Sequence, residues 1–595
     1  MKHIDILYRA KQFGLSAILL LSGSILAGCS DFLEIKPQNE IIHEQFWNEQ
    51  KDVENIIAGC YSDMQTYGMI SRMMIWGEFR SENIINNGTI NDDVDLERLL
   101  KENITASNNY TNWNEFYRII NRCNIVMKYA PEVAAKDPAY TESMLKAHIA
   151  EVTALRSLCY FYLIRAYRDV PYSEEPFLDD NQTLALPATP FKDVLAKLIT
   201  SLESVVNNAM LKYPEKNTTN YWDYNCNRVT KSMIYALLCE MYLWQKDYDN
   251  CIKYADLIIA QKKADAKDVY HYSESDFEYF NGLTLISSRI GGQNAYGNAF
   301  NRIFVENNSM ESIFELNFRK DDTNGLLLCN GPACFFYGGG NRVPFVKAST
   351  YVSNDERDKL YNVFAKENEG YDGRCYENIR FAGDIPVNIY KYSARGMVQL
   401  TSSDSPYKTA SYGGLWGTYD NDKVSRNKSN FIIYRLSDIM LLKAEALAQK
   451  INTEGAILEN TDDYKTLQEA FTIVDGVNKR SLIEPTPYKH VLNISNYASK
   501  SLITNLIYDE RNRELMFEGK RYFDLVRRAM REENTEYLSN KVTNKDAQTA
   551  SVVKSKMQRM DAIFWPYNLN ELKANPKLKQ NPAFGSGENN SYEKS

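Results

Sequence analysis

Glu510, Arg513, Glu514, Glu518, Arg521 and Asp524 stand three or four residues apart near the C-terminal end of the chain. Closely spaced carboxylates raise the question of glycoside hydrolysis, which needs two of them flanking the scissile bond. Each acid here has an arginine at helix spacing, however, and a neighbouring guanidinium holds a carboxylate ionised instead of leaving it poised to donate a proton. The spacing predicts ion pairs and hydrogen bonds between helical turns, with Gly519 allowing a sharp turn between two helices. No catalytic residue is assigned and the chain is not read as an enzyme. It has only five His and neither H-E-x-x-H nor C-x-x-C, so neither a metal site nor a cofactor is expected.

A second chemical signal sits at the start. Lys2, Arg9 and Lys11 precede an apolar run from Leu15 to Ala27 that ends Leu26-Ala27-Gly28-Cys29. The run has the length of a signal-peptide core and is short for a bilayer span. Small residues before a cysteine are what lipoprotein processing requires, so 1–28 reads as a signal peptide and Cys29 as the lipidated first residue of the mature chain. Two or more acyl chains anchor a protein stably, and no later segment has some 20 consecutive apolar residues. Nine cysteines remain besides Cys29, so not all can pair within the chain. Cys123, Cys159 and Cys239 fall in helical apolar patterns and read as core residues. Cys329 and Cys334 are close enough in sequence to pair, and that is left open.

Candidate binding residues are aromatic and amide side chains in Gly-rich or Asn-rich loops. Flat rings pack on the C–H faces of sugars, and amides serve hydroxyls. Tyr296, Phe336, Tyr337 and Trp416 qualify in the central segment; Asn86, Asn108 and Tyr110 qualify in an early loop. Trp113 and Trp244 lie at helical spacing and read as packing. The net charge of −8 and pI near 5.5 argue against a nucleic-acid partner.

The elements that must carry these residues are mostly helices. Apolar spacing predicts helices over 44–66, 113–130 (ended by Pro131), 147–169 and 191–209. A pair, 230–245 and 248–261, turns at Lys246-Asp247 and resembles a tetratricopeptide unit. Further pairs are 436–450 with 467–479, and 502–518 with 520–531. Residues 81–112 read as long loops with a short helix inside. From 263 to 430 helical periodicity fades, and short alternating stretches such as Ile313 to Phe318 predict small strands. The fold class is mainly α: tetratricopeptide-like helix pairs form a scaffold that carries a loop-rich subdomain with short β-strands. The expected divisions are 29–262, 263–430 and 431–595.

Several segments together resemble one family. They are Cys29-Ser30-Asp31-Phe32-Leu33-Glu34, Gly77-Glu78-Phe79-Arg80-Ser81-Glu82-Asn83, and Ala154-Leu155-Arg156 through Tyr167-Arg168-Asp169-Val170-Pro171. The others are Tyr434-Arg435 through Ala444-Glu445-Ala446, Glu510 through Arg527, and Trp565-Pro566 with Asn575-Pro576 and Asn581-Pro582. In this order they resemble the SusD/RagB lipoproteins, with Glu82 where the family usually has Asp. The resemblance implies an outer-membrane, lipid-anchored binding protein that acts as a lid on a SusC-like TonB-dependent transporter. It implies a glycan ligand or, in some members, a peptide. The family's binding loops vary and carry no motif, so no binding residue is transferred. A surface glycoside hydrolase and a lid with little ligand affinity of its own are the remaining readings.

Overall fold

The structure is a computed structural model. It describes 46–88, 93–178, 182, 185–213, 225–266, 277–318 (without 281 and 291–294) and 429–585 (without 485–488). Between these it describes 331–337, 344–352, 363, 371–382, 385–392, 398–401 and 410–412. Cys29, Cys329 and Trp416 lie outside the described residues, and with them the lipidation site and the Cys329–Cys334 pairing.

The long helices are α1 (Gln50–Met64), α2 (Tyr67–Met74), α3 (Val94–Leu100), α4 (Asn114–Lys136), α5 (Glu142–Tyr167) and α6 (Phe191–Val205). They continue as α7 (Lys231–Gln245), α8 (Tyr248–Asp265), α9 (Leu436–Lys450), α10 (Asp462–Arg480), α11 (Lys500–Leu515) and α12 (Arg521–Glu532). From α4 to α10 each of these long helices packs on the one before it, α8 meeting α9 across the central segment, which is how helix-pair repeats build a continuous core. The fold is mainly α, as expected. Helix α5 is buried on every side from Ala150 to Tyr167, its charged Glu151 and Arg165 paired with Arg228 and Glu240; a helix buried all round belongs at the centre. Helices α7 and α8 turn at Lys246, which takes the left-handed conformation (φ 68°), and Asp247 caps α8 by accepting from the Asn250 amide at 3.1 Å.

Several boundaries differ from the periodicity: α5 and α10 begin five residues earlier, at Glu142 and Asp462, α6 ends at Val205, and three further differences have a clear cause. Helix α4 runs through Pro131 to Lys136; Pro131 is exposed, and buried Val133 anchors the turn beyond it. Helix α1 begins at Gln50, where Glu49 and Asp52 form a reciprocal capping box. Helix α11 stops at Leu515, short of Glu518. Phe517 (φ 68°) and Gly519 (φ 73°) turn the chain there, and the amides of Phe517 and Lys520 donate to Glu78 at 3.2 and 3.3 Å. Glu78 lies over 430 residues away in sequence, so nothing local announces this stop.

The central segment forms small antiparallel sheets. Ser312–Leu316 pairs with Phe431–Arg435, and Val398–Thr401 pairs with both Ala410–Tyr412 and Ala295–Tyr296. Ile84–Asn86, from the early loop, pairs with Val346–Ala348. That pairing brings the two regions holding the candidate binding residues together.

Candidate functional site

Several candidates turn inward. Tyr296 is 2% exposed, and Phe336 and Tyr337 are fully buried. In the short helix Gly331–Tyr337, Ala333, Phe336 and Tyr337 share the face at spacing i, i+3, i+4 that meets the core. Phe336 packs edge-on against Phe79 at 5.0 Å, and the Tyr337 hydroxyl donates to the Phe517 carbonyl at 3.1 Å. Phe336 and Tyr337 support the surface from beneath instead of forming it, while Tyr296 packs elsewhere, paired with Leu400 and Arg289. Asn108 is also fully buried. Its Oδ1 accepts from the Tyr110 amide at 2.9 Å, and its Nδ2 donates to the Asp95 carbonyl at 2.8 Å. Asn86 is half-buried and accepts from the Gly88 amide at 2.7 Å.

The surface above those rings carries a different set. Tyr67, at the first position of α2, is 44% exposed and meets Phe335 edge-on at 5.3 Å. Phe335 and Phe345 are half-buried, with ring centroids 6.0 Å apart. Tyr110 is half-buried nearby, and its hydroxyl donates to Asp93 Oδ2 at 2.6 Å. Burial, reinforced by Asp93, keeps that phenol protonated far above its usual range. Arg72 ties the parts together. Its guanidinium donates to the carbonyls of Gly68, Asn109 and Asn112 at 3.0, 3.1 and 2.6 Å, clamping the Tyr110 turn to the start of α2. The Trp76 indole donates to the Tyr110 carbonyl at 2.8 Å.

Tyr67 and Phe335 were missed as candidates. Thr66, which caps α2 through the Met69 amide, marks Tyr67 as a first-turn residue. The i, i+3, i+4 spacing of Ala333, Phe336 and Tyr337 leaves Phe335 on the outer face. Both signals are local, but their meeting is not.

The carboxylates of the ERNRE segment occupy a second, buried site. The expected pair within one helix occurs at Glu510 and Arg513, 2.7 Å apart. Most other partners come from distant segments. Glu514 contacts Arg374 (3.1 Å), Arg435 (2.6 Å) and Arg480; Glu518 contacts Arg435 and Lys391 (both 2.7 Å). Arg521 pairs with Glu82 at 2.5 Å, and Arg511 with Asp524 at 2.9 Å and Asp438 at 3.0 Å. Burial alone would push the Glu514 carboxyl up, but Arg480, Arg435 and Arg374 hold it well below the usual range. Glu510 and Glu518 are likewise buried and likewise held low by their cations. Acids held this way do not donate protons near neutrality. Other carboxyls go the opposite way: burial raises Glu315, Asp475 and Glu571, and pushes Glu78 and Glu377 up to about 7. Glu78 is spent on backbone amides and the Asn83 side chain, and Glu377 lines a partly open cavity of about 30 Å³.

Among the described residues no group of His, Cys, Asp and Glu is placed to hold a metal ion, and no helix is long and apolar enough to cross a membrane. Cys123, Cys159 and Cys239 are buried thiols.

Comparisons with known proteins agree with this geometry. Residues 206–584 match the sequence model of the SusD family, and 31–243 match one described as starch-binding, associating with the outer membrane. SusD-like protein P38 of Formosa agariphila is 25% identical over 96% of this chain and 99% of its own length. A SusD superfamily protein of Bacteroides vulgatus superimposes with a TM-score of 0.61 at 15% identity, covering 90% of this chain and 100% of its own. Surface glycan-binding protein A of Bacteroides thetaiotaomicron, solved with laminarihexaose, gives 0.58 at 18% identity, with the same coverages. With more than half of its length matched by the family's own sequence model and its helix-pair scaffold shared with solved members, the chain belongs to the SusD family.

Proposed function

We propose that this protein is a lipid-anchored binding protein of the outer membrane, facing the cell exterior. It captures an oligosaccharide and delivers it, as a lid, to a SusC-like TonB-dependent transporter without cleaving it. The observation that carries the capture step is the gathering of Tyr67, Phe335 and Tyr110 from three distant segments onto one surface, held by Arg72 and Asp93. Partly exposed rings backed by a rigid frame are what sugar C–H faces stack on. Asn86 at its edge and Trp416 are the remaining candidate contacts; Asn108, Phe336 and Tyr337 act from below, and Tyr296 is buried away from the patch. The laminarihexaose bound to surface glycan-binding protein A supports the oligosaccharide class. The arginine-held carboxylates support binding without hydrolysis.

The test is a glycan and peptide affinity screen of the full mature chain in detergent, with product analysis on the same samples. One glycan class should bind uncleaved. Tyr67→Ala and Tyr110→Ala should each cost more than about 1 kcal/mol of binding, roughly fivefold, with unchanged thermal stability for Tyr67→Ala. Cleavage products, or affinity untouched in both variants, would refute the reading. Deleting the transporter should leave surface binding intact and abolish uptake.

A further inference from the structure

The partly open cavity lies where the central segment is seated on the helical scaffold. Arg374 and Glu377 reach it from the short helix Arg374–Asn378, Lys391 from the turn after the strand Ile385–Ile389, Arg435 from the entry to α9, Arg480 from the end of α10 and Glu514 from α11. Phe300 and Phe304 close its apolar side. At about 30 Å³ it has room for about two water molecules.

The ion pairs around it balance without Glu377. Five cations, Arg374, Lys391, Arg435, Arg480 and Arg513, contact five carboxylates, Glu311, Asp372, Glu510, Glu514 and Glu518. Glu377 is a further carboxyl, lining the cavity beside Glu514 and only 8% exposed, and its side chain makes no hydrogen bond or ion pair among the described residues. The charges that face it are Asp372 and Arg374 of its own segment, Arg480 of α10 and Glu514 of α11, with Lys391 and Arg435 across the cavity. Four of these are cations, each already held by an acid, and two are acids that oppose a further negative charge. An unpaired ionised carboxylate buried in this way is disfavoured, whereas a protonated one needs only water as its partner.

We propose that Glu377 and the water-sized cavity beside it form a proton site that governs how firmly the central segment is seated on the scaffold. With the proton bound, the seat is closed and the five-to-five charge balance holds. Without it, an excess negative charge sits between Arg374–Asn378 and α11, and the seat opens to admit water. The site does not depend on the ligand reading. Burial first, then Asp372 and Glu514, push the Glu377 carboxyl up to about 7 against Arg480 and Arg374. An unfolded glutamate titrates near 4.5. The stabilisation is therefore complete below 4.5 and is lost as pH climbs to 7 and through it.

The experiment is thermal and urea unfolding of the full chain and of Glu377→Gln from pH 4 to 8.5. The glutamine keeps the shape of the protonated acid. The stability of the variant relative to wild type should rise across pH 4.5–7 and level off above about 8. The full excursion corresponds to about 300-fold in the folding equilibrium. Other titrating groups cancel in this difference, and a difference that stays flat over the whole range overturns the proposal. Should Glu377→Gln fail to fold, hydrogen exchange of the wild type decides it. After correction for intrinsic exchange, segment 371–382 should lose protection between pH 6 and 8.5 while α5 does not. Equal protection of 371–382 at the two pH values would overturn it.

Discussion

Replacing Glu514 by Gln removes one negative charge from a site that is 3% exposed while keeping the side chain's shape. Three guanidinium groups lose an ionic partner at once: Arg374, Arg435 and Arg480. Breaking a buried pair from one side costs about 3–5 kcal/mol, because the abandoned charge stays buried. Each arginine retains a second acid, however: Arg374 keeps Asp372 and Glu510, Arg435 keeps Glu518, and Arg480 keeps Glu311. The lower end applies, about 3 kcal/mol, or roughly 150-fold in the folding equilibrium. Urea unfolding followed by tryptophan fluorescence should show the midpoint falling by about 1 M or somewhat less, since the slope for a chain of this size is at the steep end of about 1–3 kcal/mol per M or beyond. A variant within about 0.5 kcal/mol of wild type would refute the view that this network fastens the central segment to α9, α10 and α11. A glycan-cleaving wild type whose turnover vanished in Glu514→Gln at unchanged stability would instead make the carboxylate catalytic.

Gly77→Ala should abolish folding, because its Cβ would stand 1.8 Å from the Gly519 carbonyl oxygen, which is backbone and cannot swing away. Gly88→Ala, with open space around it but φ of +79°, should cost only about 1–2 kcal/mol; circular-dichroism melts compare the two, and similar losses would remove the close-contact argument. The chain should also lose stability in acid. Burial raises the Asp438 carboxyl, but Lys520 and Arg511 outweigh it and bring it down to about 2. Glu445, Glu510, Glu514 and Glu518 are held low in the same manner by their own cations. A folded pKa below the unfolded one contributes stability above the unfolded value, and that stability is lost as pH falls through the folded one. Near-ultraviolet circular dichroism should therefore record unfolding between about pH 4.5 and 2, and a melting temperature unchanged down to pH 3 would contradict it.

The sequence by itself determined the helical scaffold. Periods of apolar residues, the turn at Lys246-Asp247 and caps such as Asp247 are local signals, and a helix repeats every 3.6 residues whatever it packs on. The same locality explains the errors. Pro131 is a local stop that buried Val133 overrides. The charged run from Glu510 to Asp524 looked like ion pairs between the turns of two paired helices, and only the tertiary structure assigned most partners, because a long side chain reaches whichever charge the fold brings near. Arg521 meets Glu82, Glu514 meets Arg374, and Glu78 meets the amides of the 517–520 turn. Ring exposure was equally out of reach. Phe335, Phe336 and Tyr337 are adjacent and similar in type, yet one faces outward and two are buried, since a helix of seven residues turns them to different sides. The patch of Tyr67, Phe335 and Tyr110 exists only because Ile84–Asn86 pairs with Val346–Ala348 and Arg72 clamps the Tyr110 turn to α2. Residues hundreds of positions apart share a surface through contacts that no local pattern encodes.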